Sequence, residues 1–161
     1  MSDAAPATRR IVHIELDERL VVRRNPDVEH ERAVAIFDLL EDNHFAPSSD
    51  HPGPFHLLLR IEDNRLVLDL SDAEGGAIEA IGLALTPFRK IVKDYFAVCE
   101  SYFAAIRAST PSQIEAIDMG RRGLHNEGSE LLRERLAGRV EIDFPTARRL
   151  FTLLCVLHIR G

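Results

Sequence analysis

Residues 110–138 constrain the fold more than any other part of the chain, because they predict one long amphipathic helix. Thr110 is a capping residue, Pro111 suits the first helical position, and Gln113 completes a capping box. At about 100° per residue, one side of this helix collects apolar side chains, namely Ile114, Ile117, Leu124, Leu131 and Leu132. We therefore expect that side to face the core.

Three glycines, Gly120, Gly123 and Gly128, interrupt this pattern. Each destabilises a helix interior by about 1 kcal/mol relative to alanine, so we expect a structural reason for a glycine at such a position. Gly128 lies on the apolar side, and we expect a neighbouring backbone to approach it closely. The alternative interpretation is that the helix breaks near Gly120 and Gly123.

Polar groups of several kinds share one flank of the same helix, at steps of three and four residues: Asp118, Arg121, Arg122, His125 and Ser129. Guanidinium and imidazole groups on one flank could bind a phosphate or a carboxylate. An internal ion-pair network explains the same pattern, with an acidic partner such as Glu100 or Asp27. The sequence favours the network and leaves the ligand site as the alternative.

A second pair of arginines, Arg148 and Arg149, follows Asp143 and Pro145, which mark the start of the last helix. The helix dipole disfavours cations in the first turns, so this placement indicates an acidic partner or an anionic ligand, with plain solvent exposure as the alternative. The apolar residues that follow surround the helix and predict a central position. A buried strand over residues 151–159 is the competing interpretation.

The remaining pattern predicts the α+β class, with a small antiparallel sheet of three to four strands packed against about four helices. Strands are predicted over residues 11–16, 55–61, 65–70 and 77–85, with 20–22 as a further short segment. Further helices are predicted to begin at residues 25–27 and 86–87. In the first of these, the predicted buried residues are Ala33, Ile36, Phe37 and Leu40. We expect one domain over residues 10–161 after a disordered tail over 1–9.

Composition narrows the classes of function. A net charge of −6 argues against a nucleic-acid footprint over the whole surface. Glu29, His30 and Glu31 suggest a metal cluster, but adjacent helical residues point in different directions, so we predict no metal site and no cofactor. The two cysteines predict buried reduced thiols, and no apolar run approaches the roughly 20 residues of a membrane span. We expect a cytoplasmic protein without a membrane partner.

Several runs of sequence resemble a known bacterial family, uncharacterised protein family 0262. The runs lie at residues 25–27, 29–36, 85–89, 91–96, 110–128 and 146–151. The resemblance covers nearly all of the chain beyond Arg10, apart from the loop at 46–54. It implies a small cytoplasmic bacterial protein, and it carries no activity, cofactor or catalytic residue with it.

Signature motifs of enzymes are not found in the sequence: there is no nucleophile elbow, zinc signature or phosphate loop. The sequence therefore favours a non-enzymatic protein-interaction or adaptor protein, which could self-associate. The alternative is an anion, phosphate or RNA site formed by Arg121, Arg122 and His125, with Arg148 and Arg149. As a metal-independent nuclease, it would use His125 as the general acid or base and Arg121 to stabilise phosphate. That pairing resembles the one in HEPN ribonucleases, although fewer residues separate Arg121 from His125 here.

Overall fold

Four helices and two small sheets form the part of the chain described by the computed structural model, residues 9–17 and 26–158. In chain order the elements are β1 (Ile11–Leu16), α1 (Pro26–Glu41), β2 (Phe45–Pro47), β3 (Phe55–Glu62), β4 (Arg65–Ser71), β5 (Ala77–Ala84), α2 (Arg89–Ala108), α3 (Pro111–Leu136), β6 (Val140–Ile142) and α4 (Phe144–His158). A 3-10 turn, Thr86–Phe88, leads into α2. The predicted α+β class is confirmed. The predicted segment at 20–22 and nearly all of the predicted tail lie outside the described residues.

The main sheet has the strand order β1-β3-β4-β5. Strands β3, β4 and β5 pair antiparallel as predicted, and Asp63 and Asn64 form the first turn with positive φ. Strand β1 pairs parallel with β3, so the sheet is mixed and not wholly antiparallel. The physical reason is that α1 lies between these strands in the chain, and parallel strands need such a crossover. Strands β2 and β6 form a separate antiparallel pair.

The side chain of Asn43 connects the end of α1 to β1. Its Oδ1 accepts a hydrogen bond from the Ile11 amide at 2.8 Å. Its Nδ2 donates to the Ile11 carbonyl at 2.9 Å and to the Leu39 carbonyl at 2.8 Å. These bonds fix where the first helix meets the sheet edge, and therefore which face of α1 turns towards the other helices.

Helix α4 lies at the centre of the core, as predicted, and the alternative of a strand over residues 151–159 is wrong. Phe151, Leu153 and Leu154 on this helix are fully buried. Helices α1 and α3 both pack against α4, and α2 packs along α3. None of the helices among the described residues is long and apolar enough to cross a membrane.

Helix α3 is continuous from Pro111 to Leu136, so the alternative of a break near Gly120 and Gly123 is wrong. The predicted capping box is present: the Gln113 amide donates to Thr110 Oγ1, and the Thr110 amide donates to Gln113 Oε1. The close approach predicted at Gly128 is also present, but the neighbour is the Phe151 ring and not a backbone.

The buried side of α1 differs in part from the prediction. Ile36 and Leu40 pack partly buried against the core, as expected, while Phe37 is 65% exposed. Ala33 is exposed as well. The reason is that α1 packs through Ala35 and Leu39. Phe37 is two positions from both, and Ala33 is two positions from Ala35, so each lies about 200° around the helix from those buried residues.

Candidate functional site

An open cleft of about 330 Å³ lies where α1, α3 and α4 meet. Its lining comes from all four helices and comprises His30, Glu31, Val34, Ala35, Asp38, Tyr95, Arg121, Arg122, His125, Arg148, Arg149 and Thr152. Five of the seven residues singled out from the sequence therefore meet in one cleft. The two arginine pairs, far apart in the chain, come together because α3 packs on α4.

Asp118 connects the two arginines of α3. Its Oδ1 lies 2.6 Å from Arg121 Nη2, and its Oδ2 lies 3.1 Å from Arg122 Nε. Arg121 also reaches the carboxylate of Glu31 on α1 at 3.9 Å and lies over the Tyr102 ring at 4.5 Å. The predicted internal network therefore exists, but its acidic members are Asp118 and Glu31 instead of Glu100 or Asp27.

The arginines of α4 differ in their surroundings. Arg149 Nε lies 3.8 Å from the Asp38 carboxylate on α1. Arg148 has no ion pair with any described residue. The Nε atoms of both arginines are buried without a hydrogen-bond partner among the described residues. The cleft lining thus combines four guanidinium groups with two carboxylates, Glu31 and Asp38, so it carries excess positive charge.

His125 is 8% exposed at the base of the cleft. Its Nε2 lies 2.7 Å from Thr152 Oγ1, and the Thr152 hydroxyl donates to the Arg148 carbonyl at 3.2 Å. Burial, helped by the neighbouring positive charges of Arg148 and Arg121, lowers the pKa of His125 to about 4. The imidazole is therefore neutral at pH 7. Its Nδ1 is buried without a partner, so neither ring nitrogen is placed to exchange a proton with a ligand in the cleft.

Glu31 and Tyr95 form the boundary between the cleft and the core. Burial raises the pKa of Glu31 above its ordinary value, while Arg121 and hydrogen bonding from Tyr95 oppose that shift. The Tyr95 ring is buried and lies 5.3 Å from the His125 ring, centroid to centroid. Burial of this carboxylate and the positive charge of Arg121 therefore act on its pKa in opposite directions.

Two of the seven residues do not line the cleft. Asp118 lies behind the arginines that it pairs with, and Ser129 is fully buried, where its hydroxyl donates to the His125 carbonyl at 2.7 Å. Sequence reasoning missed Thr152, although it lies one helical turn beyond Arg148 and could have been found by that spacing. The contributions of Glu31, Val34 and Asp38 depend on how α1 packs, and no local pattern reveals them.

A second cleft, of about 550 Å³, lies beside the β2–β6 pair and also contains arginines. The side chains of these arginines already donate hydrogen bonds to backbone carbonyls. Arg9 donates to the Pro47 and Ser49 carbonyls, Arg133 to the Ile142 carbonyl, and Arg139 to the Gly82 carbonyl. Because their guanidinium groups are already hydrogen-bonded to backbone carbonyls, we regard the first cleft as the candidate site. Within residues 9–17 and 26–158, no group of three or more His, Cys, Asp or Glu side chains could hold a metal ion.

Comparison with known proteins shows the family to which this chain belongs. The model of the Uncharacterised protein family (UPF0262) matches residues 8–160. The chain belongs to this family. A UPF0262 protein of Paramagnetospirillum magneticum is 62% identical over 156 residues, covering 97% of this chain and 99% of that protein. A UPF0262 protein of Rhodospirillum rubrum is 63% identical over 154 residues, covering 96% and 95%, and one of Sphingopyxis alaskensis is 55% identical over the full length of both chains. No solved structure matches the chain.

Proposed function

We propose that the cleft binds a small anionic ligand through its phosphate or carboxylate group. The observation that carries this proposal is Arg148, a cleft arginine with no acidic partner among the described residues. Charges removed from water need partners, and the other three cleft arginines have them. An anion in the cleft would supply the partner that Arg148 lacks.

The chemistry of the lining suits a small oxyanion. Guanidinium groups bind phosphate and carboxylate through paired, charge-assisted hydrogen bonds. Arg148 and Arg149 project from one helix and Arg121 and Arg122 from another, so an anion between them can be contacted from two sides. The volume of about 330 Å³ is at the lower end of the range for small-molecule pockets. A cleft of this size on a chain of net charge −6 fits a small ligand better than an extended RNA backbone.

The Asp118 network has a supporting role in this proposal. Asp118 holds Arg121 and Arg122 at fixed positions, which reduces the entropy lost when a ligand orders them. The internal network and the ligand site are thus compatible readings of the same residues. We propose no catalytic role for His125, because Thr152 occupies Nε2 and Nδ1 is enclosed.

The test is calorimetric titration of the full chain with methyl phosphate at low salt. Arg148→Ala is expected to weaken binding by about tenfold or more, since a hydrogen bond to a charged group contributes about 1.5–3 kcal/mol. Arg107→Ala is the matched control, because Arg107 is exposed at the end of α2 and does not line the cleft. Equal affinity in Arg148→Ala and wild type, or binding that ignores salt, would contradict the proposal.

A second candidate function is self-association through the outer face of α3. Gly120 and Gly123 lie on this face with open space where a Cβ would be, so no contact with the described residues accounts for them. Met119 lies on the same face and is 62% exposed. Two glycines and an exposed methionine on one helical face would let a helix of a second copy approach closely, as small residues do at tightly packed helix pairs.

The measurement for this second candidate is the mass of the protein in solution over a hundredfold dilution. A dimer that dissociates on dilution, and that Gly123→Leu abolishes, would support self-association. A strict monomer at all concentrations would exclude it, and the anion proposal would stand unaffected because its cleft is on the opposite side of α3.

A further inference from the structure

We infer that the ligand of the cleft is amphipathic, with an anionic head and a short apolar tail lying along Val34 and Phe37 of α1. This inference rests on the proposed anion binding and extends it to the chemistry of the rest of the ligand. It assigns a role to two side chains that the core does not use.

The apolar rim consists of Val34, which lines the cleft, and Phe37, which lies three positions further along α1. Val34 lines the cleft and is 42% exposed. Phe37 is 65% exposed, the largest exposure of any large hydrophobic side chain among the described residues. The two are three positions apart, so they lie about one turn apart on the same side of α1. A group that leaves the cleft along this side of α1 would pass Val34 and then Phe37.

The rest of α1 does not require an apolar residue at position 37. Ile36 and Leu40 already pack against the core, and Ala35 and Leu39 are buried in it. A single scattered exposed hydrophobic residue is ordinary, whereas here two lie one turn apart and one of them lines a charged cleft. The burial pattern thus distinguishes Val34 and Phe37 from the residues of α1 that pack against the core.

The geometry also limits the tail. The cleft holds an anionic head and a few carbon atoms, and the rim contacts one side of whatever extends from it while the other side stays in water. Two side chains form too small a surface to hold a protein at the face of a bilayer. The structure therefore favours a soluble single-chain phosphate or carboxylate over a lipid that remains in a membrane.

The experiment compares methyl, butyl and hexyl phosphate by calorimetric titration of the full chain. A fully buried methylene contributes enough to tighten binding about fourfold, and a tail covered on one side is expected to gain about twofold per methylene. Hexyl phosphate is therefore expected to bind about thirtyfold more tightly than methyl phosphate.

The variant Phe37→Ser is expected to remove most of this gain and to leave the affinity for methyl phosphate unchanged. Met119→Ser is the matched control, because Met119 is equally exposed but lies on the outer face of α3. Both residues are at the surface, so neither substitution removes core packing.

Each outcome decides one point. If methyl phosphate does not bind at all, the proposed anion site fails and the tail inference fails with it. If methyl phosphate binds but the series is flat, or if Phe37→Ser leaves the gain intact, only the tail inference is overturned. If the protein instead sediments with phosphatidylcholine vesicles that contain phosphatidic acid, and does not distinguish the soluble series, the ligand is a membrane lipid and the soluble-ligand inference is wrong.

Discussion

A Cβ atom at Gly128 would lie 2.2 Å from Cζ of Phe151, so the ring of α4 occupies the space that a side chain on α3 would otherwise fill. This close approach draws the two helices together beside the cleft. His125 lies one turn before Gly128, and its ring is 5.2 Å from that of Phe151. The contact therefore sets the distance between the arginine pair of α3 and that of α4.

The first prediction concerns this contact. Gly128→Ala is expected to lower the free energy of unfolding by about 3 kcal/mol, because overpacking a fully buried ring displaces the helix. Gly120→Ala is the control, since a Cβ there meets nothing within 4 Å. It is expected to raise the stability of the isolated chain by up to about 1 kcal/mol through helix propensity. Urea unfolding measures both, and similar effects of the two substitutions would contradict the packing described.

The second prediction concerns pH. The pKa of His125 is about 4 in the folded chain and about 6.5 when unfolded, so the unfolded state binds more protons between these values. Stability is therefore expected to fall as pH falls from about 6.5 towards 4, by about 3 kcal/mol in total for this group. His125→Gln retains an amide near Nε2 but does not titrate, and it should remove this part of the pH dependence.

Glu31 acts in the opposite direction, because its raised pKa favours proton uptake by the folded state and adds stability as pH falls through its own range. The informative quantity is thus the difference between wild type and His125→Gln in the slope of unfolding free energy against pH. Parallel slopes between pH 6.5 and 4.5 would show that burial does not depress the pKa of His125.

The third prediction separates the two arginines of α3. Arg121 is largely buried and pairs with Asp118 and Glu31, whereas the side chain of Arg122 is 57% exposed. Arg121→Ala is expected to lower unfolding free energy by about 1–3 kcal/mol, because it leaves a partly buried carboxylate without its cation. Arg122→Ala is expected to change stability by less than about 1 kcal/mol, as for exposed ion pairs. Equal losses of stability in the two variants would argue against the arrangement around Asp118.

The fourth prediction concerns the link between α1 and β1. Asn43→Ala removes three side-chain hydrogen bonds. The side chain accepts one from the Ile11 amide and donates the other two to the carbonyls of Ile11 and Leu39. It is expected to lower unfolding free energy by about 1–3 kcal/mol, since the freed backbone groups lie in a partly buried site. Hydrogen exchange should show faster exchange of the Ile11 amide in the variant. An unchanged exchange rate there would mean that Asn43 does not hold the strand.

The sequence predicted elements well where one periodicity dominated. The capping box and the apolar side of α3 could be predicted because both depend on residues within one helix. The parallel pairing of β1 with β3 could not be predicted in this way, because strand direction depends on how α1 crosses the sheet. Likewise, the exposure of Phe37 depends on which face of α1 meets α4. Without knowledge of that face, an apolar residue beside Ile36 is predicted to be buried.

The sequence alone determined which side chains lie on each helix face, and so placed Arg121 with His125 and Arg148 with Arg149. That much follows from the helical repeat of 3.6 residues. Only the tertiary structure decided that these two faces oppose each other, that Asp118 and Glu31 pair with Arg121, and that Arg148 has no acidic partner among the described residues. The physical reason is that ion pairing depends on distances between helices, and those distances are set by contacts such as that of Gly128 with Phe151.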